Sequence, residues 1–182
     1  MVQTNFSDPW DDAANPQPES FATGYSRGAG EGLVYGGGAV ALGAILFSVF
    51  GYPLAALLAI GAAAVAIWFY PTVLKEPQIG GRSDGLFVDG IGFIDWASIT
   101  EMSLHTTAVR SILLTKLHIR LNTDLQKAVS KPQKLPFWRM VMMKNWVLKQ
   151  DEDGMQTIIV NMHTLRMPAE QVLSRLRRFR SA

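Results

Sequence analysis

Cysteine is absent from this 182-residue chain. That removes disulfides, thiolate catalysis and Cys-ligated zinc or iron–sulfur centres together, and it suits a domain kept in a reducing cytoplasm. Histidine is scarce, at three residues. Charge is missing from a whole region: from Gly32 to Leu74, between Glu31 and Lys75, there is no Asp, Glu, Lys or Arg. A helix rises about 1.5 Å per residue and a bilayer's hydrocarbon core is about 30 Å thick, so one crossing takes roughly 20 apolar residues. The uncharged run is long enough for two. With no ionisable group inside it to relay protons or bind ions, it is not the core of a transporter or channel.

Phe50-Gly51-Tyr52-Pro53 interrupts the run. Pro53 cannot donate a helical hydrogen bond and Gly51 tolerates turn dihedrals, so the segment reads as a reversal between helices at Leu33 to Phe50 and Pro53 to Leu74. The chain beyond the hairpin is too short to enclose two all-apolar helices in a soluble core. Tyr35 at one end of the first helix lies level with Trp68, Phe69 and Tyr70 of the second, while Phe50 and Tyr52 mark the opposite tip, which gives two aromatic belts. We therefore expect a transmembrane hairpin over 32–74. Arg27, Lys75 and Arg82 flank it and the turn is uncharged, so both termini are expected in the cytoplasm. Gly36, Gly37, Gly38 and Gly43, with Ala55, Ala59 and Ala63 opposite, would let the helices approach closely; a wider oligomer interface is the lesser reading of the same stripe.

Residues 1–31 carry Asp8, Asp11, Asp12, Glu19 and Glu31 against Arg27, with Pro9, Pro16 and Pro18. This is not the basic-then-apolar order of a secretory signal, and a disordered acidic arm over Met1 to Arg27 is expected.

After a linker at 75–84 the periodicity changes to two. Leu113, Thr115, Leu117, Ile119 and Leu121 alternate with Lys116, His118, Arg120 and Asn122, and Ile158, Val160 and Met162 share a face, both patterns of half-buried strands. Val88-Asp89-Gly90-Ile91 reads as a type I′ hairpin turn, and Asp151 to Gly154 as another turn. Strands are expected near 86–88, 91–96, 99–106, 111–123, 139–149 and 156–165 in an antiparallel sheet. After Pro168, residues Ala169, Val172, Leu173, Leu176 and Phe179 fall on one face of a C-terminal helix. The fold class is thus α+β, with the hairpin followed by a domain at 85–182.

Gly90-Ile91, Ile94-Asp95-Trp96-Ala97-Ser98-Ile99, an Ile/Leu-rich strand, and Thr157-Ile158-Ile159-Val160 leading into Pro168-Ala169-Glu170-Gln171-Val172 carry a likeness. In this order they resemble small bacterial membrane proteins with a pleckstrin-homology-like (PH-like) domain. The resemblance implies a two-helix membrane hairpin, then a curved antiparallel barrel plugged by the C-terminal helix, in the bacterial inner membrane. Met167 stands where that pattern would have a capping Ser or Asp.

Catalytic constellations do not assemble. With a turn at Thr107 to Arg110, Thr106 would pair with Ser111 and His105 with Ile112, leaving His105 and His118 about 20 Å apart, too far to share a metal. Glu101 would then face Lys116. Asp89 reads as a turn residue, Asp151, Glu152 and Asp153 as a solvated turn, and Gly80-Gly81 lacks the context of a phosphate loop. No cofactor or metal is expected.

One segment points to binding. Lys127, Lys131, Lys134, Arg139, Lys144 and Lys149 surround Phe137, Trp138 and Trp146, and Arg175, Arg177, Arg178 and Arg180 add a second basic group on the last helix. The chain after the hairpin has a net charge of +6 against −4 before it. Lys127, Lys131, Lys134, Phe137, Trp138, Arg139 and the four arginines are therefore candidate contacts for anionic membrane lipids or a partner; solvated lysines around core tryptophans are the plainer alternative. No nucleic-acid motif accompanies the charge. The expected function is non-enzymatic: an anchored domain that docks a partner protein or a larger membrane complex. The alternative is a membrane-bound enzyme acting on lipid.

Overall fold

The computed structural model describes residues 19–26, 28, 30–74, 76–110, 112–151 and 153–181. The elements run β1 (Phe21–Gly24), α1 (Glu31–Val49), α2 (Ala55–Phe69), β2 (Pro77–Arg82), β3 (Gly85–Val88), β4 (Gly92–Ile94), β5 (Ile99–Val109), β6 (Ile112–Leu121), α3 (Leu125–Ala128), β7 (Val129–Pro132), β8 (Trp146–Gln150), β9 (Gln156–Asn161) and α4 (Ala169–Ser181). The chain is α+β.

Helices α1 and α2 pair as an antiparallel hairpin and turn at Phe50 to Leu54, as the Gly-Tyr-Pro sequence requires. Helix α1 and the helical run Ala55–Thr72, in which a 3-10 turn continues α2, are long and apolar enough to cross a membrane. Their seam is narrower than the small-residue stripe implied. A Cβ on Gly37 would stand 3.0 Å from the Ala62 carbonyl oxygen, whereas Gly36, Gly38 and Gly43 face open space. Ala41, Ala44 and Ala59 are the buried side chains of the pair. Their spacing, together with Gly37, matches one face of a helix, which is why those small residues and not their neighbours meet.

The rest forms two antiparallel sheets, ordered β1-β2-β3-β4-β7 and β5-β6-β9-β8. They do not close into the expected barrel: β7 ends one sheet, β8 ends the other, and the two edges are not paired. Period-two alternation drives Ile79, Leu86, Val88 and Ile94 from the first sheet against Leu117, Ile119, Leu121, Ile158 and Val160 from the second. Helix α4 adds Val172 and Leu176 to this core, with Ala169, Leu173 and Phe179 on the same face as the sequence indicated. Phe179 stacks on Trp96 at 5.9 Å and 4°. The Met167 amide donates to Thr23 Oγ1 at 3.3 Å, so β1 secures the start of α4 in place of a local capping side chain.

Several expectations need correction. Residues 21–24, placed in a disordered arm, form β1, which pairs with β2; the rest of that arm up to residue 18 lies outside the described residues. The 75–84 linker contains β2, where Gly80 lets the Phe21 carbonyl approach to 2.5 Å of where a Cβ would lie. The expected strand at 139–149 is strand only from Trp146; Phe137–Val141 is a 3-10 turn entered from Pro136, whose fixed φ starts it. Gly90 has a positive φ of 84° and Asp89 does not, so the β3–β4 turn is not type I′.

The largest correction is register. Val109 pairs with Ile112, so the register of β5 on β6 is shifted by four residues from that of a turn at 107–110, and the pairing of β5 runs three residues further. This register sets Met102 opposite Ile119 and Leu104 opposite Leu117, matching core to core. It moves His105 opposite Lys116 and Ser103 opposite His118, and it gives Glu101 Arg120 as its partner instead of Lys116.

Candidate functional site

At one end of the β-domain the Met143 amide donates to the Trp68 carbonyl at 3.2 Å and Gly30 lies against Thr72. This hairpin end gathers polar groups from five elements and loops. Asp89 follows β3 and its carboxylate accepts from Gln78 Nε2 at 3.2 Å, Gln133 Nε2 at 3.1 Å and Arg139 at 3.0 Å. Arg139 also pairs with Glu76. Its side chain is 8% exposed and that of Asp89 13%, so the guanidinium is a buried cation neutralised by two carboxylates. The Asp89 carbonyl accepts from Trp146 Nε1 at 2.8 Å, and the Gly90 amide donates to Gln133 Oε1 at 2.7 Å. These bonds tie the β3–β4 turn to the segments on either side of it.

Tyr25 points into the same region. Its hydroxyl is buried with no hydrogen-bond partner among the described residues. Burial pushes its pKa up, Asp89 adds to the rise, and Arg139 opposes it.

The candidate contacts separate in space. Arg139 is internal and ion-paired, so it is not a headgroup contact. Lys131 pairs with Asp84 at 2.9 Å at the opposite, far end of the sheet, and Lys131 holds the Asp84 carboxyl below its ordinary range. Lys127 sits on α3 beside that far end. Arg175 lies 5.6 Å over the Phe21 ring and Arg177 donates to the Met102 carbonyl at 3.4 Å; with Arg178 and Arg180 they occupy the half of α4 that ends on Phe21 and Trp96. Helix α4 starts beside Thr23 and Leu165 near the hairpin end and runs away from it, so these four arginines stand remote from the hairpin. What remains at the hairpin end is Lys134, Phe137 (79% exposed) and Trp138 (42% exposed), joined by Lys144. The tip of β5–β6 extends past the last β9 pairing, Lys116 with Asn161, toward this same end and exposes Leu113.

A groove of about 340 Å³ opens beside the unpaired edges of β7 and β8, lined by Gly90, Ile91, Leu125, Val129, Pro132 and Trp146. Its walls are mostly apolar. Strand β8 pairs with β9 alone and exposes Val147 and Leu148.

Polar chemistry lies elsewhere, on the outer face of the second sheet. Ser103 Oγ and His105 Nε2 are 3.3 Å apart and the His105 and His118 rings are 4.1 Å apart. Burial, then the neighbouring His105 and Lys116, hold the His118 pKa below its ordinary value. A nucleophile and base are present by type, yet among the described residues no carboxylate is hydrogen-bonded to either ring. No family model, curated protein or solved structure matches this chain. The reading of its function therefore stands on the geometry. Among the residues missed from sequence, Glu76, Gln78, Gln133 and Tyr25 carry no local pattern, whereas pairing apolar with apolar across β5 and β6 would have brought the two histidines together.

Proposed function

We propose that this chain is a bacterial inner-membrane protein in which α1 and α2 span the bilayer and hold a cytoplasmic, PH-like β-domain that docks a partner protein. The observation that carries the membrane reading is the exposure of the hairpin: large apolar and aromatic side chains including Leu42, Phe47, Leu54, Leu57 and Ile60 are 60% exposed or more. Monomeric soluble proteins rarely leave apolar patches beyond a few hundred Å² in water. In lipid the same side chains need no other cover. The cations at the hairpin end, Lys134, Lys144 and Arg166, fit a cytoplasmic side, while Arg27 and Lys75 lie outside the described residues and Arg82 sits at the far end of β2. Lys134, Phe137, Trp138 and Leu113 would meet headgroups and their interface.

The docking reading draws on the apolar groove beside two unpaired strand edges, a form that accepts an added strand with side-chain pockets. Partner capture from mildly solubilised membranes tests it. A partner retained by wild type and by Leu113→Lys but lost from Val147→Lys, which blunts the β8 edge, is expected. Equal capture by all three would contradict it. The second reading, a lipid-acting enzyme, rests on Ser103 and His105, and Ser103→Ala leaving all biological activity intact would dismiss it.

A further inference from the structure

The cavity that holds the two histidines measures about 250 Å³ and lies opposite the core, with Glu101, Ser103, His105, His118 and Lys149 among its lining. Ser103 faces His118 and His105 faces Lys116 across β5 and β6, so the imidazoles are diagonal neighbours; their ring centroids are 4.1 Å apart and their planes meet at 34°. Charges of both signs surround the pair: Glu101 and Lys149 line the cavity and Lys116 faces His105 across the strands. Arg120 is held by Asp151 and Asp153, and the Asp151 carboxylate also accepts from Thr157. His105 has Ser103 for a neighbour, while the His118 ring has no hydrogen-bond partner among the described residues. Two close imidazoles thus present ring nitrogens to the same opening.

We propose that His105 and His118 together bind one divalent transition-metal ion, with water in the remaining positions. Imidazole is the ligand of choice for Cu²⁺, Ni²⁺ and Zn²⁺, with Cu²⁺ bound tightest. Metal–nitrogen bonds of about 2.0–2.1 Å put two nitrogens about 3.3 Å apart on a tetrahedral ion and about 2.9 Å apart at cis positions of a tetragonal one such as Cu²⁺. Rotation about χ2 of rings this close can supply either spacing. Among the described residues no third His, Asp or Glu completes a metal cluster, which makes the site a two-ligand one with open coordination positions. Glu101 at the cavity wall adds a negative charge to attract the cation. The site belongs to the β-domain and does not depend on where the hairpin sits.

The test uses the full chain in detergent, purified without a polyhistidine tag, titrated with Cu²⁺ alone and followed by calorimetry and electron paramagnetic resonance. Wild type is expected to bind one Cu²⁺ with splitting from two nitrogens. That binding should be lost in His105→Gln and in His118→Gln and kept in His163→Gln, all three retaining the wild-type tryptophan fluorescence. Binding unchanged in either of the first two, binding lost in His163→Gln, or wild type binding no better than a chain carrying both His105→Gln and His118→Gln would overturn the site.

Discussion

Arg139 sits in the sequence among lysines and aromatics, where a headgroup contact is the natural inference, yet its guanidinium lies between Glu76 and Asp89 and is 8% exposed. Burial of this kind follows from tertiary neighbours separated from Arg139 by 50 and more residues, so no local pattern announces it. Arg139→Ala would leave the Asp89 carboxylate desolvated without its cation and should cost about 3 kcal/mol in denaturant unfolding, the low end for a broken buried pair because Asp89 keeps some water contact. A loss within about 0.5 kcal/mol, the size of an ordinary surface change, would show the pair to be solvated. His118 gives a pH dependence. Burial first, then His105 and Lys116, lower its pKa in the folded state, so between that value and the unfolded value of about 6.5 the unfolded chain binds more protons. Stability should therefore rise with pH through this window and fall as pH drops through it. In chelator-containing buffer, His118→Gln is expected to flatten that slope; an unchanged slope would place its origin elsewhere. Asp84 acts in the same direction at lower pH, in the carboxylate range, and so remains separable.

Elements with a strong period were legible. The alternation of Leu117, Ile119 and Leu121 and the helical face of Ala169 to Phe179 survive in the fold because each pattern reports one buried side. Strands β1, β2 and β7 were not, since Phe21–Gly24 is short, Pro77–Arg82 holds a Gly pair, and Val129–Pro132 ends in a proline tolerated at a sheet edge. The β5–β6 register escaped because a turn placed by composition outweighed the matching of apolar partners. In the hairpin, a side chain at Gly37 would meet the backbone oxygen of Ala62, which cannot swing away. Gly37→Leu should destabilise the helix pair by about 1–3 kcal/mol, while Gly36→Leu, facing open space, should be near neutral. Melting in detergent separates them, and equal melting points would contradict the seam. On α4, Phe179 is 9% exposed between Phe21 and Trp96. Phe179→Ala should cost about 3 kcal/mol and speed hydrogen exchange along α4, with Phe137→Ala, a 79% exposed position, as the silent control.

At the scale of the molecule there are an apolar hairpin, a polar network at the hairpin end and a sheet domain opening an apolar groove, which the proposed function reads as an anchor and a docking head. The two long apolar helices were legible because an uncharged run of that length has few other uses; the candidate contact surface was not, because Lys127, Lys131 and the α4 arginines are alike in charge but distant in space from Phe137 and Trp138. The absence of cysteine makes the central claim directly measurable, since an introduced thiol reports its own side of the membrane without background. In intact bacterial cells expressing the full chain, a membrane-impermeant maleimide should label Tyr52→Cys at the hairpin tip and should reach Ser174→Cys on the exposed face of α4 only after the inner membrane is opened. Labelling of Ser174→Cys in intact cells, or a Tyr52→Cys thiol that reacts only after opening, would contradict the anchored cytoplasmic domain.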